Sequence, residues 1–197
     1  MKKLFLSIVL VLALSVASYS QRVVWEDDFE TSKGWSEYED KDGSALVKDG
    51  VFLVKSKGTR EFITKCKTNV DINKNFTITA DANVKDGLKE DQYIGMAVDF
   101  MDNKNFSVFL VEKGFVWFFQ FRDGNKVRED KEYIKPRSKK DQKMVKFELQ
   151  RKGSNIMFLV NDEETIETKI DNIESNRIGF YVSGGQEVSF DNVKIMQ

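Results

Sequence analysis

The sequence contains no histidine, one cysteine and one proline among its 197 residues. The absence of histidine excludes Ser-His-Asp and Cys-His nucleophile systems. It also removes the commonest protein ligand of zinc, copper and non-haem iron. Any metal ion would therefore be bound through oxygen atoms, and calcium is the natural candidate in an exported protein. Because Cys66 is the only cysteine, no internal disulfide can form; a lone cysteine in a strand is typical of a small, packed apolar residue.

Long apolar runs are absent except at the amino terminus. There, Lys2 and Lys3 precede the apolar run Leu4–Val16, and the small residues Ser18 and Ser20 follow it. This layout predicts a secretory signal peptide over residues 1–20. The run is short for a membrane span, so a retained anchor is the weaker alternative. We therefore expect an exported protein that is periplasmic, on the cell surface or extracellular.

The chain has almost no net charge, with 31 basic and 32 acidic residues. A near-neutral surface argues against general nucleic-acid binding, which depends on displacing counterions with basic groups. The segment 21–197 is long enough to bury one hydrophobic core and short for two. We therefore predict a single domain over that range. The oligomeric state does not follow from composition.

Short strands with tight turns dominate the rest of the sequence. The segment Ile178–Ile195 alternates apolar and polar residues around Gly184–Gly185, which is typical of a hairpin, and a one-residue slip predicts a bulge at Asp191–Asn192. About a dozen such strands predict an all-β, antiparallel two-sheet sandwich or barrel. Residues 129–143 are expected to form a charged loop.

Several segments, in their order along the chain, resemble the concanavalin A-like lectin/glucanase superfamily (LamG-type jelly roll). They are Trp25–Glu30, Gly34–Trp35, Lys48–Val54, Asn75–Ala80, Ile94–Phe100, Asn105–Leu110 and Phe190–Ile195. The resemblance covers most of residues 21–197. It implies two stacked antiparallel sheets, sugars often bound on the concave face, and pairing of the first and last strands.

Two departures from related proteins bear on activity. The glycanases of this superfamily carry a Glu-x-Asp-x-x-Glu strand that supplies the catalytic carboxylates, and no such run occurs here. The sequence is also similar, more weakly, to a keto-disaccharide hydrolase-like group of this fold. That group's usual Asn-Gly pair is missing before Gly34–Trp35.

A candidate sugar-binding face follows from the aromatic strand Phe115–Arg122. If one face of this strand is core, the other carries an aromatic ring, an amide and a guanidinium, which suits stacking on a sugar and orienting its hydroxyls. With Ile94, Met96, Val98 and Phe100 pointing inward, neighbouring strands add three further residues to this face. The predicted ligand-binding set is Tyr93, Asp99, Phe109, Phe118, Gln120 and Arg122. The alternative interpretation is that both faces are buried.

A candidate calcium site follows from the implied pairing of the first and last strands. Carboxylates from separate segments suit a hard cation, and the candidate ligands are Asp27, Asp28, Glu30 and Asp191. The alternative is solvated charge at the amino terminus together with a bulge residue that bonds its own backbone. If present, such a calcium ion is expected to be structural.

The resulting hypothesis is an exported, non-catalytic β-sandwich that binds a glycan or oligosaccharide. Two alternatives remain open. One is a carbohydrate-active enzyme on the same fold, which would need two carboxyl groups flanking the scissile bond. The other is a structural or protein-interaction module of the cell envelope, which would present an exposed apolar patch.

Overall fold

The structure is a computed structural model that describes residues 21–59, 61–135, 138 and 142–197. The predicted signal peptide lies outside the described residues. These residues form no helix, and so none that is long and apolar enough to cross a membrane. Their sixteen strands are β1 Val23–Asp27, β2 Tyr38–Asp40, β3 Gly43–Lys48, β4 Val51–Ser56, β5 Phe62–Ile63, β6 Cys66–Lys67, β7 Phe76–Val84, β8 Ile94–Asp102, β9 Asn105–Glu112, β10 Phe115–Arg122, β11 Asn125–Tyr133, β12 Met144–Lys152, β13 Asn155–Val160, β14 Glu163–Lys169, β15 Arg177–Val182 and β16 Glu187–Met196.

The strands form two antiparallel sheets. The nine-stranded sheet has the order β14-β13-β12-β7-β16-β4-β3-β2, and β1 also pairs with β16. The seven-stranded sheet has the order β11-β10-β9-β8-β15-β5, and β6 also pairs with β15. The predicted all-β two-sheet sandwich is confirmed, as is the pairing of the first and last strands.

Aromatic side chains from both sheets fill the space between them. Phe158 of the nine-stranded sheet meets Phe109 of the other at a ring-centroid distance of 5.3 Å, and Phe190 stacks on Phe180 at 3.9 Å. All four rings are fully or almost fully buried. Each such side chain stabilises the fold by roughly 1.5–3 kcal/mol through removal of apolar surface from water.

Strand β11 corrects the prediction of a charged loop over residues 129–143. Its sequence lacks apolar alternation, yet Asn125–Tyr133 pairs with β10 along its length. It forms the end of the seven-stranded sheet, and most of its residues are exposed. Charged residues are favoured on such an edge because they discourage pairing with other chains. Residues 136, 137 and 139–141 of the predicted loop lie outside the described residues.

Two bulges change the direction in which side chains point. The predicted one at Asp191–Asn192 is present as a register shift between β16 and β7, with Asn192 at φ 53°. A second lies at Asp99, which has φ 52° where the register of β8 and β9 shifts. It turns Phe100 to the outer face of the seven-stranded sheet, so the prediction that Phe100 points into the main core is wrong.

Candidate functional site

The outer face of the seven-stranded sheet carries a continuous run of aromatic rings. On β10, Trp117 and Phe119 lie 5.6 Å apart, and Phe119 and Phe121 lie 6.4 Å apart, measured between ring centroids. Phe106 of β9 stacks on Phe121 at 4.7 Å and also meets Phe100 at 5.6 Å. Trp117, Phe119 and Phe121 are each half-buried. The run therefore presents ring surface to solvent on a rigid sheet.

The face that was predicted to bind sugar is the reverse of this one. Phe109 and Phe118 are completely buried in the core between the sheets. Their neighbours Trp117 and Phe119 point outward instead. Because β10 carries aromatic residues on both faces, alternation alone could not show which face the second sheet covers.

Tyr93 is the member of the predicted set that lies among the outer rings. Its ring meets the edge of Trp117 at 6.4 Å, and the side chain is half-buried. Burial, and then the charge of Glu112, raise the pKa of the Tyr93 hydroxyl. Tyr93 therefore remains a neutral hydrogen-bonding group next to the indole.

Asp99 and Arg122 form an ion pair at the end of the sheet, in which Asp99 is buried and Arg122 is partly exposed. Arg122 donates to Oδ2 of Asp99 at 2.9 Å, while Oδ1 accepts the backbone N–H groups of Glu174 and Ser175 at 2.7 and 3.1 Å. Burial raises the pKa of the Asp99 carboxyl, although these three donors oppose the rise. Both oxygens are occupied, which suits a residue that anchors the loop at Glu174. Gln120, the remaining predicted residue, donates to Ser107 Oγ at 3.3 Å.

A groove of about 860 Å³ opens over the outer rings. Phe119 and Phe121 form one side of it, and Tyr181 and Ile63 form the other. Its remaining lining residues are Ser36, Glu37, Tyr38, Glu61, Phe62, Lys65, Asn103, Phe106, Val108, Gly124 and Lys126. The volume lies in the range of small-molecule sites, and the mixture of rings with a few polar groups is typical of them.

A polar cluster lies beside the rings. The Tyr181 hydroxyl is hydrogen-bonded to the Glu61 carboxylate, and its pKa is raised, chiefly by burial and then by that carboxylate. Glu112 accepts the Trp117 indole N–H at 3.1 Å through Oε2 and the Asp91 backbone N–H at 2.9 Å through Oε1. The bond from the Asp91 N–H fixes the Glu112 side chain, and Glu112 in turn fixes the orientation of the Trp117 indole.

Lysine side chains lie over the ring faces. The Lys131 ammonium is 3.6 Å from the Phe115 ring centroid and 4.0 Å from that of Trp117. Lys126 lies 4.8 Å from the Phe119 centroid, and Lys65 lies 5.6 Å from the Phe100 centroid. These are cation–π distances. The outer face is therefore aromatic, with ammonium groups over several rings and carboxylates such as Glu61 and Glu112 beside them.

The predicted calcium ligands have separate partners. Asp27 is buried, with Oδ1 accepting the Phe29 N–H and Oδ2 the Trp35 indole N–H, each at 2.9 Å. Asp28 accepts the N–H of Glu30 at 3.3 Å, and Asp191 accepts the N–H of Asn192 at 2.7 Å. Within the described ranges, no group of three or more acidic or cysteine side chains is arranged to hold a metal ion.

Sequence reasoning missed the groove residues Phe119, Phe121, Tyr181 and Glu61, and it missed Trp117 beside the groove. A usable signal was the pair of strand glycines Gly95 and Gly179. A Cβ at Gly95 would lie 1.9 Å from the carbonyl oxygen of Phe109, and a Cβ at Gly179 would lie 1.9 Å from that of Thr64. Glycine inside a strand marks such close backbone approach. Both glycines lie in strands next to the groove, β8 and β15.

Comparison with known proteins finds solved structures that share this fold. No family model matches the sequence, and no curated protein matches it. Solved structures do match. A carbohydrate-binding module, CBM66, from Bacillus subtilis aligns with a TM-score of 0.60 at 19% identity, over 84% of this chain and 96% of that one.

Two enzymes align at lower identity. The catalytic domain of an endo-1,3-β-glucanase (laminarinase) from Thermotoga petrophila aligns with a TM-score of 0.59 at 8% identity, over 90% of this chain and 98% of that one. An endo-β-1,3-glucanase from Pyrococcus furiosus aligns with a TM-score of 0.62 at 9% identity, over 90% and 94%. Together with the two-sheet topology, these likenesses show that the chain has the concanavalin A-like jelly-roll fold.

Proposed function

We propose that this protein is exported and binds carbohydrate, without transforming it, in the groove on the outer face of the seven-stranded sheet. The observation that carries the proposal is the run of half-buried rings on this face: Phe119 and Phe121 line the groove, and Trp117 continues the run along β10 beside it. Flat rings stack on the C–H faces of sugars. Tyr93, Tyr181 and Glu61 supply hydroxyl and carboxylate groups next to the rings for bonds to sugar hydroxyls.

Two further observations support this proposal. The solved structures with this fold include a carbohydrate-binding module and two glucanases. Residues 1–20 have the layout of a secretory signal peptide, which would deliver the protein to where polysaccharides occur. The site residues are argued from the groove itself, because a fold hosts many functions.

A glycan array tests the proposal. We expect the protein to bind one class of oligosaccharide, and the Trp117→Ala and Phe119→Ala variants to lose about twofold to tenfold in affinity, since stacking on each ring is worth roughly 0.5–1.5 kcal/mol. Leu53→Ala is the matched control, because Leu53 is a partly exposed apolar residue on the nine-stranded sheet. Equal binding by all three variants would place the sugar elsewhere, and no binding to any glycan would refute the proposal.

A second candidate function is glycoside cleavage, because two carboxylates, Glu37 and Glu61, line the same groove. A pair of carboxyl groups is what glycoside hydrolysis needs. Incubation of the purified protein with the glycans that it binds, followed by chromatography of the products, separates the two functions. Turnover that Glu61→Gln abolishes would favour the enzyme; intact glycan after prolonged incubation would favour binding alone.

A further inference from the structure

The lysines over the aromatic rings differ in whether they have an acidic partner. Lys126 forms an ion pair with Glu129. Lys65 and Lys131 lie over rings, and neither forms an ion pair with any acidic residue in the described part of the chain. The two lysines flank the run of rings, Lys65 at Phe100 and Lys131 at Phe115 and Trp117.

The carboxylates near the groove already have donors. Glu61 bonds the Tyr181 hydroxyl, Glu112 accepts two N–H groups, and Glu37 accepts the Val47 N–H at 3.3 Å. Glu129 is paired with Lys126. The oxygens of Glu61, Glu112 and Glu37 are engaged by neutral donors, which fix these side chains but leave their charge. Lys65 and Lys131, at the two ends of the ring run, form no ion pair within the described part of the chain, so their ammonium groups are available to pair with an anionic ligand.

The position of Lys131 favours the binding of acidic sugars over neutral ones. Its ammonium covers the faces of Phe115 and Trp117, on which a sugar would stack. A neutral sugar must displace the ammonium from the rings to stack there. A sugar with a carboxylate can pair with the ammonium, so that the lysine moves aside without losing an electrostatic partner.

From this geometry, and resting on the function proposed above, we propose that the outer aromatic face, from the groove to Phe115, binds an acidic oligosaccharide whose hexuronic acid units pair with Lys65 and Lys131 while sugar faces stack on the rings between them. The ligand must be an oligosaccharide because the run from Phe115 to Phe121 alone spans roughly 20 Å of strand, several sugar units. We expect the acidic group of the ligand to be a carboxylate and not a sulfate, because Lys65 and Lys131 are single ammonium groups at separate rings. A three-oxygen sulfate suits clustered donors such as an arginine fork.

The test compares each uronic acid oligosaccharide with its own methyl ester, which keeps the backbone and linkage but removes the charge. A panel of hexasaccharides of galacturonic, guluronic and mannuronic acid, their esters, and a sulfated galactan hexasaccharide is titrated calorimetrically against the protein. We expect at least one acid form to bind about tenfold or more tightly than its ester. This preference should shrink between 50 and 500 mM salt, because the charges are partly exposed.

Lysine variants locate the interaction. Lys65→Gln and Lys131→Gln should each weaken binding of the acid about threefold to tenfold and leave binding of the ester unchanged. The control removes the same charge away from the rings: Lys194→Gln removes an exposed cation on the nine-stranded sheet. This control should not change affinity for the acid more than about twofold.

The outcomes distinguish this inference from the proposed function. Equal binding of acid and ester, binding of sulfated sugar alone, or unchanged affinity in both Lys65→Gln and Lys131→Gln would overturn the acidic ligand. If Phe119→Ala still abolished sugar binding in those cases, carbohydrate binding in the groove would stand. No binding to any sugar, neutral or acidic, would overturn both.

Discussion

At the scale of single residues, neighbours in β10 have opposite roles. Phe118 is completely buried and packs against Phe109 at a centroid distance of 4.8 Å. Phe119 is half-buried and faces the groove. The two side chains are chemically identical and adjacent in sequence. Because successive residues of a strand point to opposite faces, we expect Phe118 to contribute mainly to stability and Phe119 mainly to binding.

We predict that Phe118→Ala lowers the free energy of unfolding by about 3–5 kcal/mol, because it leaves a cavity in the core. Phe119→Ala should cost about 1 kcal/mol or less, since solvent can fill the space. Urea denaturation followed by tryptophan fluorescence measures both values. Similar losses in the two variants would mean that the outer face is as tightly packed as the core.

Cys66 shows how burial controls a thiol. It is 2% exposed, and burial, followed by the charge of Asp27, raises its pKa to about 11. Its Sγ lies 3.4 Å from the carbonyl oxygen of Lys33, which suits a protonated thiol as donor. The thiolate form is therefore disfavoured in the folded state, and the residue is a packing group.

The resulting pH dependence has a definite sign. Because the folded pKa exceeds the unfolded value of about 8.5, the stabilising contribution of the neutral thiol is complete below that value. It is lost progressively as pH rises toward the folded pKa of about 11. The free energy of unfolding should fall by up to about 1.4 kcal/mol per pH unit over this window from this group.

Comparison of urea denaturation of the protein and its Cys66→Ala variant between pH 8 and 11 isolates this effect from other titrating groups. The variant should lose less stability with rising pH than the parent protein. In addition, the folded protein should resist thiol reagents at pH 8 and react once unfolded. Parallel curves, or rapid labelling of the folded protein, would contradict the assignment.

At the scale of strands, glycine in β8 and β15 permits the close approach of backbones beneath the groove. The space where a Gly95 Cβ would lie is occupied by the backbone of β9, with the Leu110 Cα at 2.9 Å as well as the Phe109 carbonyl. Gly95 pairs with Tyr181 across the sheet. The position of the tyrosine in the groove therefore depends on a residue without a side chain.

We predict that Gly95→Ala destabilises the protein by about 3 kcal/mol or more, because backbone must move to admit the methyl group. Gly153→Ala is the control: it has φ 62° and no heavy atom within 4 Å of the added Cβ, so only backbone strain remains. That strain costs about 1–2 kcal/mol. Thermal unfolding followed by circular dichroism compares the stability of the two variants. A smaller loss of stability in Gly95→Ala than in Gly153→Ala would contradict the predicted clash.

At the scale of the whole molecule, the two ends of the described chain are joined. Arg22 and Gln197 exchange backbone hydrogen bonds at 2.8 and 2.9 Å, and β1 pairs with β16. On the opposite side, β11 and β14 connect the sheets through Thr168 and Asp130, at 3.0 Å, and through Arg128 and the carbonyl oxygen of Lys169, at 2.8 Å. Residues near the amino terminus are thus integral to the sandwich.

We predict that a chain beginning at Gln21 folds with an unchanged melting temperature, whereas one beginning at Asp28 is strongly destabilised. The second deletion removes β1 and the Asp27 carboxylate, which leaves the buried Trp35 indole N–H without its acceptor. A buried unsatisfied donor costs about 1–3 kcal/mol in addition to the lost strand pairing. Differential scanning calorimetry measures both chains, and equal melting temperatures would show that β1 is dispensable.

Strand content and turn positions were predictable because the alternation of apolar residues is a local property of the sequence. The bulge at Asp191–Asn192 was visible as a slip in that alternation. The bulge at Asp99 was not, since apolar residues occupy both faces of β8 before and after it. Strand β11 was missed because its charged residues gain their conformation from pairing with β10.

The amino-acid sequence by itself determined the all-β sandwich and the exclusion of histidine chemistry, because each follows from composition or from short-range pattern. The pairing of the first and last strands was implied by the resemblance to the concanavalin A-like fold and is present in the structure. Only the tertiary structure decided which face of β10 is core, and so which aromatic residues are open to a ligand. The physical reason is that both faces of this strand are apolar, and burial depends on where the second sheet packs.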